Sequence, residues 1–107
     1  MIKVFNKNNF YTKYHLLSFK NSNYYLIKWQ PNMKTIQHNH PNVSCNFYLL
    51  NGTLKEIIYK NNNIIKKKEL NKILDKGYID DSIGNHIISN LNQKNTYSLH
   101  IYKNLNN

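Results

Sequence analysis

The stretch IQHNHPNVSC (residues 36–45) sets His38 and His40 on either side of one asparagine and follows them, five residues on, with Cys45, the chain's only cysteine. Side chains two apart on a strand point to the same face, so the two imidazoles would stand side by side. Such a pair supplies two of the three ligands of a facial metal site; two unrelated surface or core histidines are the competing reading.

On both sides of this stretch the hydrophobic pattern is short and two-fold. Residues 24–29 (YYLIKW) and 47–50 (FYLL) read as mostly buried strands, and Asn51-Gly52 is a strong two-residue hairpin signal. Residues 53–60 and 64–70 read as strands around the Asn61-Asn62-Asn63 turn, and residues 83–91 and 96–102 complete the set. Short strands with turns every eight to twelve residues or so predict an all-β sandwich or barrel, and no long helical stripe competes. Lys66-Lys67-Lys68 fits a solvated face or a sheet edge. A single domain over residues 1–107 is expected, with a flexible tail at 103–107.

The formal charge of +10 on 107 residues comes from lysine alone, for the chain contains neither arginine nor alanine. Heavy use of Asn, Lys, Ile and Tyr reflects an AT-rich coding bias, so the charge is not taken as a nucleic-acid signature. One cysteine excludes an internal disulfide framework. The opening MIKVFNKNNF has no apolar run long enough for a signal peptide, and no stretch approaches the roughly 18 apolar residues of a membrane span. A soluble, cytoplasmic protein with no nucleic-acid or membrane partner is expected; monomer and homo-oligomer stay equally open.

The spacing His38-x-His40, four residues, Cys45, six residues, Gly52 resembles the first motif of the cupin barrels with cysteine in place of the usual glutamate. His86, followed by three residues and Asn90, resembles the end of the second cupin motif. The cysteine exchange narrows the resemblance to the cysteine dioxygenase type I thiol dioxygenases. GTLKE (52–56), YIDDSIGNH (78–86) and SLHIY (98–102) are similar to stretches of that family, as is Trp29, nine residues before His38. The resemblance covers roughly residues 11–102. It implies a small cupin β-barrel (a jelly roll, or double-stranded β-helix), minimal beside typical members, which carry N-terminal helices and further strands after the matching tyrosine.

The resemblance also implies roles. His38, His40 and His86 match three Fe(II) ligands. Cys45 and Tyr102 match a pair that forms a thioether in many members, and Ser98, His100 and Tyr102 match a hydrogen-bonded relay beside the metal. The family's substrate-holding Tyr-x-Arg corresponds to Tyr11-Thr12-Lys13, so Tyr11 and Lys13 are the candidate substrate-binding residues. Lysine offers a carboxylate a point charge and not arginine's planar, bidentate grip. The implied reaction adds both atoms of O2 to the sulfur of cysteine or a similar small thiol, giving a sulfinate.

Elementary chemistry fits this set. Neutral imidazoles suit iron among the first-row metals, and three of them leave coordination positions open. Lacking a carboxylate ligand, the set is one negative charge short, which a substrate thiolate can supply. Ser98, His100 and Tyr102 alternate along one strand and so face one side. Each residue also has a plainer reading: Cys45 as a small buried hydrophobe, Tyr102 as a core aromatic, Ser98 and His100 as a satisfied polar pair, His86 as a turn histidine, Lys13 as a surface lysine. Asp80 and Asp81 read as turn and surface residues, and His15 as structural. Two alternatives stand beside the dioxygenase: a weak or inactive cupin that binds a metal without that activity, and a cupin enzyme using Zn²⁺ as a Lewis acid.

Overall fold

The computed structural model describes residues 2–38 and 40–105. Ten strands follow one another: β1 (Lys3–Lys7), β2 (Tyr11–Phe19), β3 (Ser22–Trp29), β4 (Met33–Lys34), β5 (Val43–Leu49), β6 (Leu54–Lys60), β7 (Asn63–Leu70), β8 (Lys76–Ile79), β9 (Asn85–Asn90) and β10 (Thr96–Asn104). There is no helix among the described residues. The strands pair antiparallel in two sheets, ordered β1-β2-β3-β10-β5-β8 and β4-β9-β6-β7.

Alternation decides which side chains meet between the sheets. In β5, Cys45, Phe47 and Leu49 are buried while Asn46 and Tyr48 are less so; in β6, Leu54, Glu56 and Ile58 point inward. Ile27, Trp29, Cys45, Phe47 and Leu49 of the larger sheet form one core cluster with Leu54, Ile58, Leu70 and Ile88 of the smaller. The result is the jelly-roll sandwich of a cupin, in which the two sheets remain separate rather than closing into one barrel. The edge strands explain why: β4 has two residues, β8 has four, and β7 exposes Lys66 and Lys67, all features that discourage further pairing. Lys66-Lys67-Lys68 thus lies on an edge strand, as its charge implied.

Asn51-Gly52 does not turn a hairpin. β5 pairs with β10 and β8, whereas β6 pairs with β7 and β9, so this dipeptide carries the chain from one sheet to the other. The hydrophobic residues flanking it, Leu49 and Leu54, are both fully buried and face each other from opposite layers, and that outweighs the local turn preference. The asparagine turn does form a hairpin: Asn61 and Asn62 have φ of 54° and 64°, and Lys60 pairs with Asn63. Two consecutive left-handed residues suit the twist of the flanking strands. β10 extends past Tyr102, with Lys103 and Asn104 paired to Ser44 and Val43, so the first part of the expected flexible tail is strand. Asn106 and Asn107 lie outside the described residues.

Gly77 shows how closely the larger sheet packs. A Cβ there would lie 2.1 Å from Phe47 Cζ, and Phe47 has no exposed surface and stacks on His100 at 5.2 Å with 9° between the rings. Gly77→Ala is therefore expected to cost about 1–3 kcal/mol through overpacking. Urea unfolding checks this; an unchanged midpoint would mean that Phe47 has room to move.

Candidate metal centre

His38 and His40 lie on the connection between β4 and β5, and His86 lies on β9 in the smaller sheet. What joins them is an isolated β-bridge: His38 N–H donates to His86 C=O at 3.1 Å, and His86 N–H donates to His38 C=O at 3.0 Å. The turn before β9 is built by Asp80, whose carboxylate accepts the N–H groups of Ser82 and Ile83. Gly84 completes that turn at φ 145°, and a Cβ there would lie 2.2 Å from Tyr59 C=O. Asp81 reaches the other way and accepts the backbone N–H of His40 at 2.9 Å. Asp80 is the turn residue expected; Asp81 is more than a surface residue, since it fixes the second histidine.

The candidate ligand atoms of His38, His40 and His86 lie within 4.8 Å of one another. Ring nitrogens of His38 and His86 are hydrogen-bonded on their outer sides: Nδ1 of His38 donates to Ile36 C=O at 3.0 Å, and Nδ1 of His86 donates to the Glu56 carboxylate at 2.8 Å. With the protons on Nδ1, both Nε2 atoms carry lone pairs, and these meet at 2.9 Å. Two bare lone pairs at that distance repel; one shared cation turns the contact favourable. The separation is also close to the roughly 3 Å expected for two nitrogens at right angles, each about 2.1 Å from one ion. In the third residue, Nδ1 of His40 is buried without a hydrogen-bond partner, a cost that a metal or a proton donor would remove.

Burial keeps these rings neutral. It pushes His86 down to about 3, aided by His38, and His40 down to about 3, aided by His86 and His38; His38 is lowered too, chiefly by burial. Neutral imidazole is the form that ligates, so the residues present fit a metal ion.

Beside the histidines, β3, β10 and β5 run together. Trp29 Nε1–H donates to Ser98 Oγ at 2.7 Å, and Ser98 Oγ contacts His100 Nε2 at 2.7 Å. Indole nitrogen can only donate, so Ser98 Oγ accepts from Trp29 and keeps its own hydrogen and a second lone pair for the contact with His100 Nε2. His100 Nδ1 faces Cys45 Sγ at 3.7 Å. Tyr102 is the cross-strand partner of Cys45. The chain of contacts therefore runs Trp29, Ser98, His100, Cys45, Tyr102, while the His100 and Tyr102 rings stack at 6.4 Å. Burial pushes the Cys45 thiol up to about 12 and, with Cys45 beside it, raises Tyr102 well above its ordinary value.

Of the two candidate substrate residues, Tyr11 lines the pocket and packs edge-on against Trp29 at 5.3 Å. Lys13 sits behind it, its Nζ 4.2 Å from the Tyr102 ring centre, 4.5 Å from Tyr25 and 5.5 Å from Phe5; burial lowers its pKa. The pocket bounded by Tyr11, the three histidines, Cys45 and Tyr102 has a volume of about 20 Å³, room for an ion or a water. A larger cavity of about 250 Å³ adjoins it and shares Tyr11 and His38 in its wall.

Glu56 and Asp81 were not identified from the sequence as parts of this site. A signal for Glu56 was present: Leu54, Glu56 and Ile58 alternate, which puts a carboxylate on the inner face between two apolar neighbours. Asp81 offered none, because a turn aspartate looks the same whatever backbone it holds.

Known proteins resemble this chain in fold and in sequence. Among solved structures, KdgF from Halomonas sp. superposes with a TM-score of 0.79 at 10% identity, covering 95% of this chain and 87% of that one. The Cnp3 cupin domain from Schizosaccharomyces pombe gives 0.72 at 10% identity, covering 88% and 64%. These identities speak for the fold alone. In sequence, cysteine dioxygenase type 1 from Homo sapiens is 33% identical over 89 residues, and that from Bos taurus 34% over 89; each match covers 75% of this chain and 44% of the relative. The chain thus spans less than half the length of the curated relatives it matches. The family model for cysteine dioxygenase type I matches residues 1–105, nearly the whole chain, and the protein belongs to that family.

Proposed function

We propose that the protein is an iron(II)-dependent thiol dioxygenase that adds both atoms of O2 to the sulfur of cysteine or a similar small thiol, giving a sulfinate. The observation that carries this reading is the convergence of three neutral imidazoles beside the Cys45–Tyr102 pair in a chain of this family. His38, His40 and His86 would hold the iron, which when bound supplies positions for the substrate sulfur and for O2.

The protein's own groups do the rest. Trp29 and Ser98 hold the His100 ring in place, with its Nδ1 against the Cys45 sulfur beside Tyr102. A thioether there would replace one S–H and one ring C–H by an S–C bond, with O2 taking the two electrons and two protons as hydrogen peroxide. Lys13 Nζ lies over the Tyr102 ring and serves as the partner of a substrate carboxylate. The larger cavity, which shares Tyr11 and His38 with the metal pocket, offers the thiol a route toward the histidines. Walls of Ile27, Trp29 and Ile88 limit water around the reacting sulfur. A free thiol at Cys45 suits a reducing, cytoplasmic setting. The small volume of the pocket supports the second reading, a cupin that binds a metal without dioxygenase activity.

Fe(II)-loaded protein in air with cysteine should consume one O2 per sulfinate formed, and Zn²⁺-loaded protein none; absence of sulfinate with cysteine, 2-aminoethanethiol and 3-mercaptopropionate would leave the metal-binding reading standing. His86→Ala should weaken Fe(II) binding by about 100-fold or more, as loss of a direct ligand exceeds that of an outer contact. Lys13→Ala should raise KM for cysteine about tenfold, the equivalent of roughly 1.4 kcal/mol, and leave 2-aminoethanethiol, which has no carboxylate, within about twofold. Equal losses on both thiols would remove Lys13 from substrate binding. Mass spectrometry after turnover should show the Cys45 and Tyr102 peptides linked, with two hydrogens fewer than their sum, and Cys45→Ser should abolish the link.

A further inference from the structure

Glu56 is an anomaly in its strand. It is 1% exposed, lies between the buried Leu54 and Ile58, and faces the interior of the sandwich. A carboxylate in such a place costs stability, and an aliphatic side chain of similar size would pack there without that cost. Its hydrogen-bond partner is Nδ1 of His86, at 2.8 Å, itself 2% exposed. Register explains the reach: Glu56 is opposite Ile88 and Ile58 is opposite His86, so carboxylate and imidazole lie diagonally across β6 and β9 on the same face. On its other side Glu56 is opposite Lys68, on the edge strand β7. Lys68 and Lys66 both favour its charged form, against the burial that raises its pKa to about 7.

We infer that Glu56 is a positioning residue for the metal: it holds His86 with Nε2 free to ligate and returns, one residue outside the ligand set, the negative charge that three neutral histidines lack. This rests on the reading of His38, His40 and His86 as ligands. The carboxylate fixes both the ring's orientation and its tautomer, and partial transfer of the Nδ1 proton toward it makes Nε2 a stronger donor. An ion on His86 then adds a stabilisation of the buried carboxylate that the metal-free protein lacks, which separates this role from a packing role.

The test is Co²⁺ titration of the full chain, followed by visible absorption and by competition with a chelator, alongside thermal unfolding of the metal-free protein. Glu56→Gln keeps the size and an acceptor oxygen for Nδ1–H but removes the charge. Its Co²⁺ affinity should fall about 10- to 100-fold, while the metal-free variant melts no lower than the metal-free parent. Glu56→Leu, which also leaves Nδ1–H unpartnered, should lose more affinity and shift the Co²⁺ absorption bands; should it fail to fold, Glu56→Gln decides alone. The inference is overturned if Glu56→Gln binds Co²⁺ like the parent, or if it loses metal-free stability at unchanged affinity, since Glu56 would then be a structural group only. A parent that binds no Co²⁺ while His86→Ala behaves identically removes the ligand assignment itself and this inference with it.

Discussion

Two backbone hydrogen bonds between His38 and His86 hold the site together. They tie the connection ahead of β5 to the start of β9 and set the third imidazole directly against the first. Everything near them is arranged to keep this contact: the Asp80 turn and Gly84 deliver His86 inward, and Asp81 secures the backbone of His40. A bridge of this kind is short and partly outside regular sheet, so its strength depends on the rigid sandwich at either side. Chemistry then follows from tautomers, because acceptors on the outer nitrogens leave the inner ones free.

The same logic governs the second half of the site. Indole donates to serine, serine meets imidazole, and imidazole meets sulfur, so each group is held by the one before it. Such a line on three adjacent strands needs their registers fixed, and β10 is paired on both sides, with β3 and with β5, along its length. The buried Cys45 and the half-buried Tyr102 end up as cross-strand neighbours through this pairing. Burial favours the protonated form of both.

Much of this was legible beforehand. Strands that bury one face announced themselves by alternation, and β3, β5, β6, β7, β9 and β10 were expected near where they lie. β1, β2, β4 and β8 were not. β1 is exposed along its whole length and most of β2 is only partly covered, so their residues carry little alternation; β4 is too short to show a period, and Gly77 interrupts β8. The Asn51-Gly52 signal misled because local turn preference says nothing about which sheet the next strand joins. At the site, the histidine spacing and the Cys45, Ser98, His100 and Tyr102 pattern were visible as a resemblance. Glu56 and Asp81 act through partners 30 and 41 positions away, and no local pattern encodes such a pairing.

Extended X-ray absorption fine structure of the Fe(II)-loaded protein addresses the central claim directly. Three imidazole nitrogens from His38, His40 and His86 around one iron should appear as three nitrogen donors with the outer-ring scattering of coordinated histidine, reduced to two in His86→Ala. A parent spectrum with oxygen donors and no imidazole scattering, or one left unchanged by that substitution, would contradict the account.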